Sequence, residues 1–331
     1  MLLARAALRE YGPVELVSLD DLAPDSWLAP AAGLGAPQVL LEKLPGIEQA
    51  ASAPQALAAA AGRELTHVTC VEIGGVNSLI PIAAAARTGL PLVDADMVGR
   101  AFPEVQMTLP ALRGINADRM ALVDEKGNRA VLHAVDNRWM ERLARGITVT
   151  FGSMALGSTY AMTGLEAKES MVAGSLSLCF DLSRCVTAAR AGKNDPVDAV
   201  TARLAGQRLF DGRVTEVLRR TEGGFTRGEA RLTGVGQDTG TSLTLRFQNE
   251  YLIADREGSV LATVPDLICT LDPDTGEAVT VETLRFGRRL SVIVAPADPR
   301  WHTSEGIALA GPRYFGYDLD PVRAPRVCDR S

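Results

Sequence analysis

What the 331-residue chain lacks removes several chemistries at once. No GxGxxG follows a strand, no Walker loop opens a helix and no GxSxG elbow occurs. Dinucleotide binding, P-loop phosphate chemistry and serine hydrolysis therefore have no signature here. The three histidines (His67, His133, His302) lie far apart without HExxH spacing, so each reads as a strand or surface residue rather than a metal ligand. The five cysteines (Cys70, Cys179, Cys185, Cys269, Cys328) make no CxxC pair, and an odd, scattered set fits a reducing cytoplasm with buried or free thiols. A net charge of -6 and a pI near 5.3 give no footprint for nucleic acid and no basic cluster for a lipid surface. Arg5 and Arg9 interrupt the opening MLLARAALRE, which excludes a signal peptide. The longest uncharged run, Ile147 to Leu165, is too rich in Gly, Ser and Thr to span a membrane. The expectation is a cytoplasmic protein acting on a small molecule, with neither nucleic acid nor membrane as partner.

What is present suits two ordinary domains: 47% hydrophobic and 22% charged residues can build large cores. The N-terminal third alternates strands and helices. ALREYGPVELVSLDDL gives a helix end and a strand, LAPDSWLAPAAG a spacer, PQVLLEK a buried strand, and Ile47 to Arg63 an alanine-rich helix. MALVDEKGNRAVLHAVDN reads as a hairpin turning at Glu125–Asn128, and Arg138 to Gly146 as a helix with Trp139, Leu143 and Ala144 on its apolar face. TVTFGSMALGSTYAMTG reads as packing between domains rather than as a site wall. A boundary near Leu165–Glu169 divides the chain into residues 1–166 and 167–331. VAGSLSLCFDLSRCVTAARAG then forms a helix burying Leu176, Cys179, Phe180 and Val186. Recurrent short strands after it, from RLFDGRVTEVLRR to TLRFGRRLSVIVAPA, predict a sandwich or barrel-like β unit.

The stretch from Thr66 to Met107 organises the rest. THVTCVEI is a short strand, GG a turn, and Leu79 to Arg87 a helix capped by Asn77 or Ser78. Gly89 stops that helix, and PLVDAD is a second strand. Such a β-α-β unit is parallel, so a mostly parallel sheet is expected, and ligands sit beyond the carboxyl ends of its strands. Glu72, Asp94 and Asp96 would meet at that rim, and the Gly74-Gly75 turn would offer free backbone N–H groups of a helix N-terminus to an anion. Two readings stand side by side. In one, the carboxylates perform acid-base chemistry, pushing one another's pKa values apart, and Arg100 clamps a substrate carboxylate. In the other, Glu72 caps a turn, Asp94 satisfies backbone donors, the glycines only make the bend and Arg100 pairs with Glu104. Cys70 or a histidine with Asp94 or Asp96 would be the donors of a zinc or other divalent site. Trp301 either closes over a planar ring or seals a domain edge.

The segment EIGGVNSLIPIAAAARTGLPLVDADMVGRAFPEVQM closely resembles the signature of the S-methyl thiohydantoin desulfurase family. GAPQVLLEK and DNRWMERLAR resemble that family's N-terminal domain, and GSLSL, GGFTRG, LRFQNEYL, VLATVPDLI and GPRYFGYD its C-terminal domain. The resemblance implies an α/β N-terminal domain, a β-rich C-terminal domain and hydrolysis of an S-methyl thiohydantoin to a hydantoin and methanethiol. Among the motif positions best placed for that chemistry, Glu72, Asp94 and Asp96 are the catalytic candidates, with Asp94 or Asp96 inferred to activate water. Gly74, Gly75, Asn77, Arg100 and Glu104 become the substrate-binding candidates. A divalent metal such as zinc is left open, with no ligands assigned. Because relatives are encoded beside hydantoinase/oxoprolinase subunits, the second reading is a non-catalytic accessory subunit of such a system. Two departures stand out. A glycine-rich LGTGGGG-like stretch expected ahead of MLLARAALREYGPV is missing, through either a misplaced start or a loss. Met97 replaces the usual glycine of DADGMGRAFPE, which would strain a backbone needing positive φ.

Overall fold

The computed structural model describes residues 2–35, 39, 46–222 and 225–324. PQVLLEK lies almost wholly outside the described residues. Contacts partition the chain into Met1–Ser177 and Leu178–Ser331.

In the first unit, α1 (Leu2–Tyr11) leads into β1 (Leu16–Ser18), β2 (Trp27–Pro30) and β3 (Ala32–Gly35). The segment expected to be a spacer thus contains two strands. Then come α2 (Ile47–Ala61), β4 (His67–Thr69), α3 (Ile80–Thr88), β5 (Leu92–Asp96) and the single turn α4 (Leu109–Leu112). β6 (Arg119–Val123), β7 (Arg129–His133), α5 (Asn137–Thr150), β8 (Met154–Thr159), β9 (Met162–Thr163), α6 (Gly164–Ser170) and β10 (Val172–Ala173) complete it, and α7 (Ser175–Ala191) crosses the partition. One sheet runs β1-β5-β4-β2-β9; its first four strands are parallel, while β9 joins β2, and β10 joins β5, antiparallel. The mostly parallel sheet is only part of the unit, because β3-β8-β6-β7 form a second, wholly antiparallel sheet.

Alanine decides the helix packing here. Ala50, Ala83, Ala84 and Ala85 let α2 and α3 press close against Val68, Cys70 and Leu92 of the parallel strands. All six residues of β8 are buried, so the small-residue stretch packs as an inner strand of the antiparallel sheet. On α5 the apolar face is not the one expected. Trp139 and Leu143 are exposed while Met140, Glu141, Ala144 and Thr148 turn inward, because Glu141 is committed to internal partners described below. Phe180 of α7 is likewise exposed, leaving Leu176 buried and Cys179 and Val186 partly covered.

The second unit adds α8 (Pro196–Arg203), β11 (Gln207–Glu222), β12 (Phe225–Gly234), β13 (Ser242–Gln248), β14 (Glu250–Arg256), β15 (Ser259–Thr263), β16 (Leu267–Leu271), β17 (Arg289–Ala295) and α9 (Ser304–Ala310). SLTLRFQNEYLIAD is two strands, broken where Asn249 turns at φ 58, a conformation Asn tolerates. SVLATVPDLICTLD is two strands as well, divided at Val264-Pro265. The seven strands form one antiparallel sheet, β15-β14-β13-β12-β11-β17-β16, rather than two stacked sheets. It curls until Thr270 of β16 hydrogen-bonds the Tyr251 hydroxyl of β14 at 3.1 Å, enclosing Phe210, Leu245, Phe247, Val292 and Val294. Trp301 is fully buried, so no ring face is offered to a ligand. Of the four described cysteines, Cys70 is buried and Cys179, Cys185 and Cys269 are partly covered.

Candidate active site

β4 is only three residues long, so Glu72 lies past its end, in the turn that leads to α3, rather than as the last strand residue. Two hydrogen bonds fix its carboxylate: Asn77 donates from Nδ2 to Oε1 at 2.8 Å, and the Phe102 amide donates to Oε2 at 3.0 Å. Asn77 accepts the Gly33 amide on Oδ1 at 2.8 Å, which ties β3 to the same turn. Asn77 therefore orients Glu72 instead of capping α3. The residue preceding α3 is Leu79, which gives no side-chain cap. The Ser78 amide bonds the Gly74 carbonyl, the Leu79 and Ile80 amides bond the Val76 carbonyl, and Ser78 Oγ accepts the Gly74 amide. These donors close the turn on itself, so the anion cradle expected at a helix N-terminus is not built from them. Gly74 and Gly75 stay exposed on the rim.

Asp96 ends β5 and is fully buried. Its Oδ2 accepts the amides of Ile73 (3.3 Å), Val98 (3.1 Å) and Gly99 (2.7 Å), and its Oδ1 accepts the Ser175 hydroxyl. Burial still dominates over these donors, raising its pKa to about 6. Burial likewise pushes Glu72 up to about 7. Asn77 and the Phe102 amide oppose that rise, Asp96 adds to it through its negative charge, and Arg100 opposes it. The two carboxyls are thus electrostatically linked, and Glu72 is poised to exchange a proton near neutrality.

Asp94 does something else. Its Oδ1 accepts the amides of Leu176 (2.8 Å) and Ser177 (3.1 Å), and Ser177 Oγ donates to its Oδ2 at 2.5 Å. It caps the start of α7 from a neighbouring strand, satisfying donors that a helix leaves open.

Arg100 is buried, giving Nε to the Ala101 carbonyl at 3.1 Å and stacking 4.2 Å from the Phe102 ring centroid. Glu104 accepts from the side-chain Nε2 of Gln106. Below this segment, Glu141 of α5 accepts the Val105 amide at 2.9 Å and pairs with Arg145, which reaches the Pro103 carbonyl at 3.4 Å. α5 thus clamps residues 103–105 and with them the Phe102 amide that faces Glu72. Sequence reading missed Ser175, Ser177, Glu141 and Arg145 as contributors. The signals were there: hydroxyls in GSLSL just before a helix, and a Glu–Arg pair four residues apart in ERLAR. Met97 does not have positive φ and is fully buried; Gly99, at φ 76, supplies the special conformation in this turn.

Among the described residues no group of three or more His, Cys, Asp or Glu side chains is placed to hold a metal. Cys70 is buried in the core, and His67 bonds Thr66 at 2.8 Å. Among the described residues no helix is long and apolar enough to cross a membrane.

The fold and site define a two-unit α/β-plus-β protein with a paired-carboxyl centre at the carboxyl edge of a parallel sheet. The family model of the S-Me-THD-like N-terminal domain matches residues 1–134, and that of the S-Me-THD-like C-terminal domain matches residues 135–324. The chain belongs to the S-Me-THD-like family. A solved structure of a protein from Chromobacterium violaceum shares its fold, with a TM-score of 0.77 at 23% identity over 98% of this chain and 92% of that one. No curated protein matches the chain.

Proposed function

We propose that this protein hydrolyses S-methyl thiohydantoin or a related hydantoin-like ring, with Glu72 as its proton-transfer group. The reading is supported by one observation above the others: a carboxyl whose pKa stands near 7, held by Asn77 and the Phe102 amide on a rim whose neighbouring turn is exposed. Ionised Glu72 takes a proton from water as the water oxygen bonds to the amidine-like ring carbon; the electron pair of the C=N bond moves onto the ring nitrogen, which takes the remaining hydroxyl proton as the carbonyl forms. The carbon–sulfur bond then breaks, and Glu72 returns its proton to the departing thiolate, giving methanethiol and a hydantoin. Asp96 is a positioning residue: it accepts the amides of Ile73, Val98 and Gly99, and its charge raises the Glu72 pKa. Asn77 is a second positioning residue. Asp94 serves the fold through α7. The small-molecule substrate is the partner this chemistry requires, and no step is routed through a metal.

Methanethiol release from an S-methyl thiohydantoin tests the reading. Turnover is expected to rise with pH through about 7 as Glu72 ionises. In Glu72→Gln it should fall by about 100-fold or more. No release from folded wild-type protein at pH 8, or full activity in Glu72→Gln, would overturn it.

A further inference from the structure

Helix α5 turns outward side chains that a folded surface ordinarily hides. Trp139 is 48% exposed and Leu143 40%, and Gly146 and Thr150 continue the same line in solvent. These four positions are spaced by four, three and four residues, which keeps them on one stripe and is the spacing of a seam between paired helices. Glu141, Ala144 and Thr148 lie buried on the other side. Nothing inside the unit asks for glycine at position 146. Its φ is not positive, and a Cβ built there would meet no atom within 4 Å. Yet glycine inside a helix costs about 1 kcal/mol relative to alanine.

The stripe is complementary to itself when a second α5 runs antiparallel along it. Setting Leu143 against Gly146 of a second copy also sets Trp139 against Thr150, so a large side chain meets a small one at every level. Charge agrees with this pairing. Arg138 and Arg142 lie in the first half of the helix, Arg142 being 5.3 Å from the Trp139 ring centroid. Arg145 pairs with inward-facing Glu141, and residues 146–150 carry no charge. An antiparallel pair therefore holds the arginines of two copies apart. It also brings Arg138 beside the C-terminal end of the other helix, where unpaired carbonyls favour a cation. Asp136 stays out of the seam, accepting the Trp139 amide at 2.8 Å. We infer that α5 is a homodimer interface, two copies pairing antiparallel along Trp139, Leu143, Gly146 and Thr150. Such a contact is two-fold and closes on itself. The 14 residues of α5 span only about 21 Å, so the pair buries less than a standard interface and associates with a Kd of about 1–100 µM. The inference is independent of the proposed hydrolysis.

Sedimentation velocity of the full chain between about 1 and 200 µM tests it. The mass should climb with concentration toward twice the 35.1 kDa of one chain. Leu143→Ser should weaken association at least about tenfold. Gly146→Lys should do the same while the unfolding midpoint of dilute protein stays equal or rises. Lysine is the better helix former and suits a helix C-terminus, but in the pair it fills the gap that Leu143 of the other copy occupies. Phe180→Ser, at an exposed residue of α7, should leave association unchanged. A monomer at every concentration, α5 variants that associate like wild type, or an equal loss in Phe180→Ser overturns the proposal.

Discussion

Glu72→Gln offers a stability test that does not depend on knowing the substrate. Moving a carboxyl from 4.5 to about 7 corresponds to about 3 kcal/mol, at about 1.4 kcal/mol per unit. The sign follows from proton linkage. Below pH 4.5 both folded and unfolded chains hold the proton, and the site contributes no difference. Between 4.5 and 7 the unfolded chain ionises while the folded one stays protonated, so stability falls as pH rises; above 7 the loss is complete. The side-chain amide that Glu72→Gln introduces cannot titrate. It also mismatches one donor, Asn77 Nδ2 or the Phe102 amide, but that penalty is the same at every pH. Wild type should therefore lose up to about 3 kcal/mol more than Glu72→Gln between pH 4.5 and 8. Urea unfolding of the full chain across that range measures the difference, and a carbon-13 titration of the Glu72 carboxyl measures its cause. Parallel stability profiles, or a Glu72 carboxyl titrating below pH 5, would refute the reasoning.

Other outcomes follow from the same geometry. Asp94→Ala removes the acceptor for the Leu176 and Ser177 amides, so it should cost about 1–2 kcal/mol in urea unfolding yet leave turnover per folded molecule intact. Ser175→Ala deletes a donor that lowers the Asp96 pKa, so that carboxyl should titrate above its present value of about 6 by NMR. Met97→Gly should destabilise by about 2–4 kcal/mol, because it empties a fully buried site at an ordinary φ. Glu141→Ala frees the Val105 amide and removes the carboxylate that Arg145 pairs with; it should cost about 3 kcal/mol and raise the Glu72 titration point as the Phe102 amide loses its aim.

Local pattern sufficed where one element makes its own argument. β-branched and apolar runs bounded by glycine and proline located β5, α3 and the β6–β7 hairpin, and the motif words located the family. The parallel β4–β5 pairing also follows from the β-α-β spacing, since a crossover helix permits nothing else. Tertiary structure decided whatever depends on a distant partner. Glu72 and Asp94 look alike in sequence, each an acid near a strand end. One meets Asn77 and a loop amide and climbs to about 7, while the other meets the start of a helix some eighty residues on and is spent as its cap. The inward face of α5 is set by Glu141 reaching Val105, so hydrophobicity alone chose the wrong side. Periodicity reports which side chains avoid water; which charge stands beside which is fixed only when the chain closes.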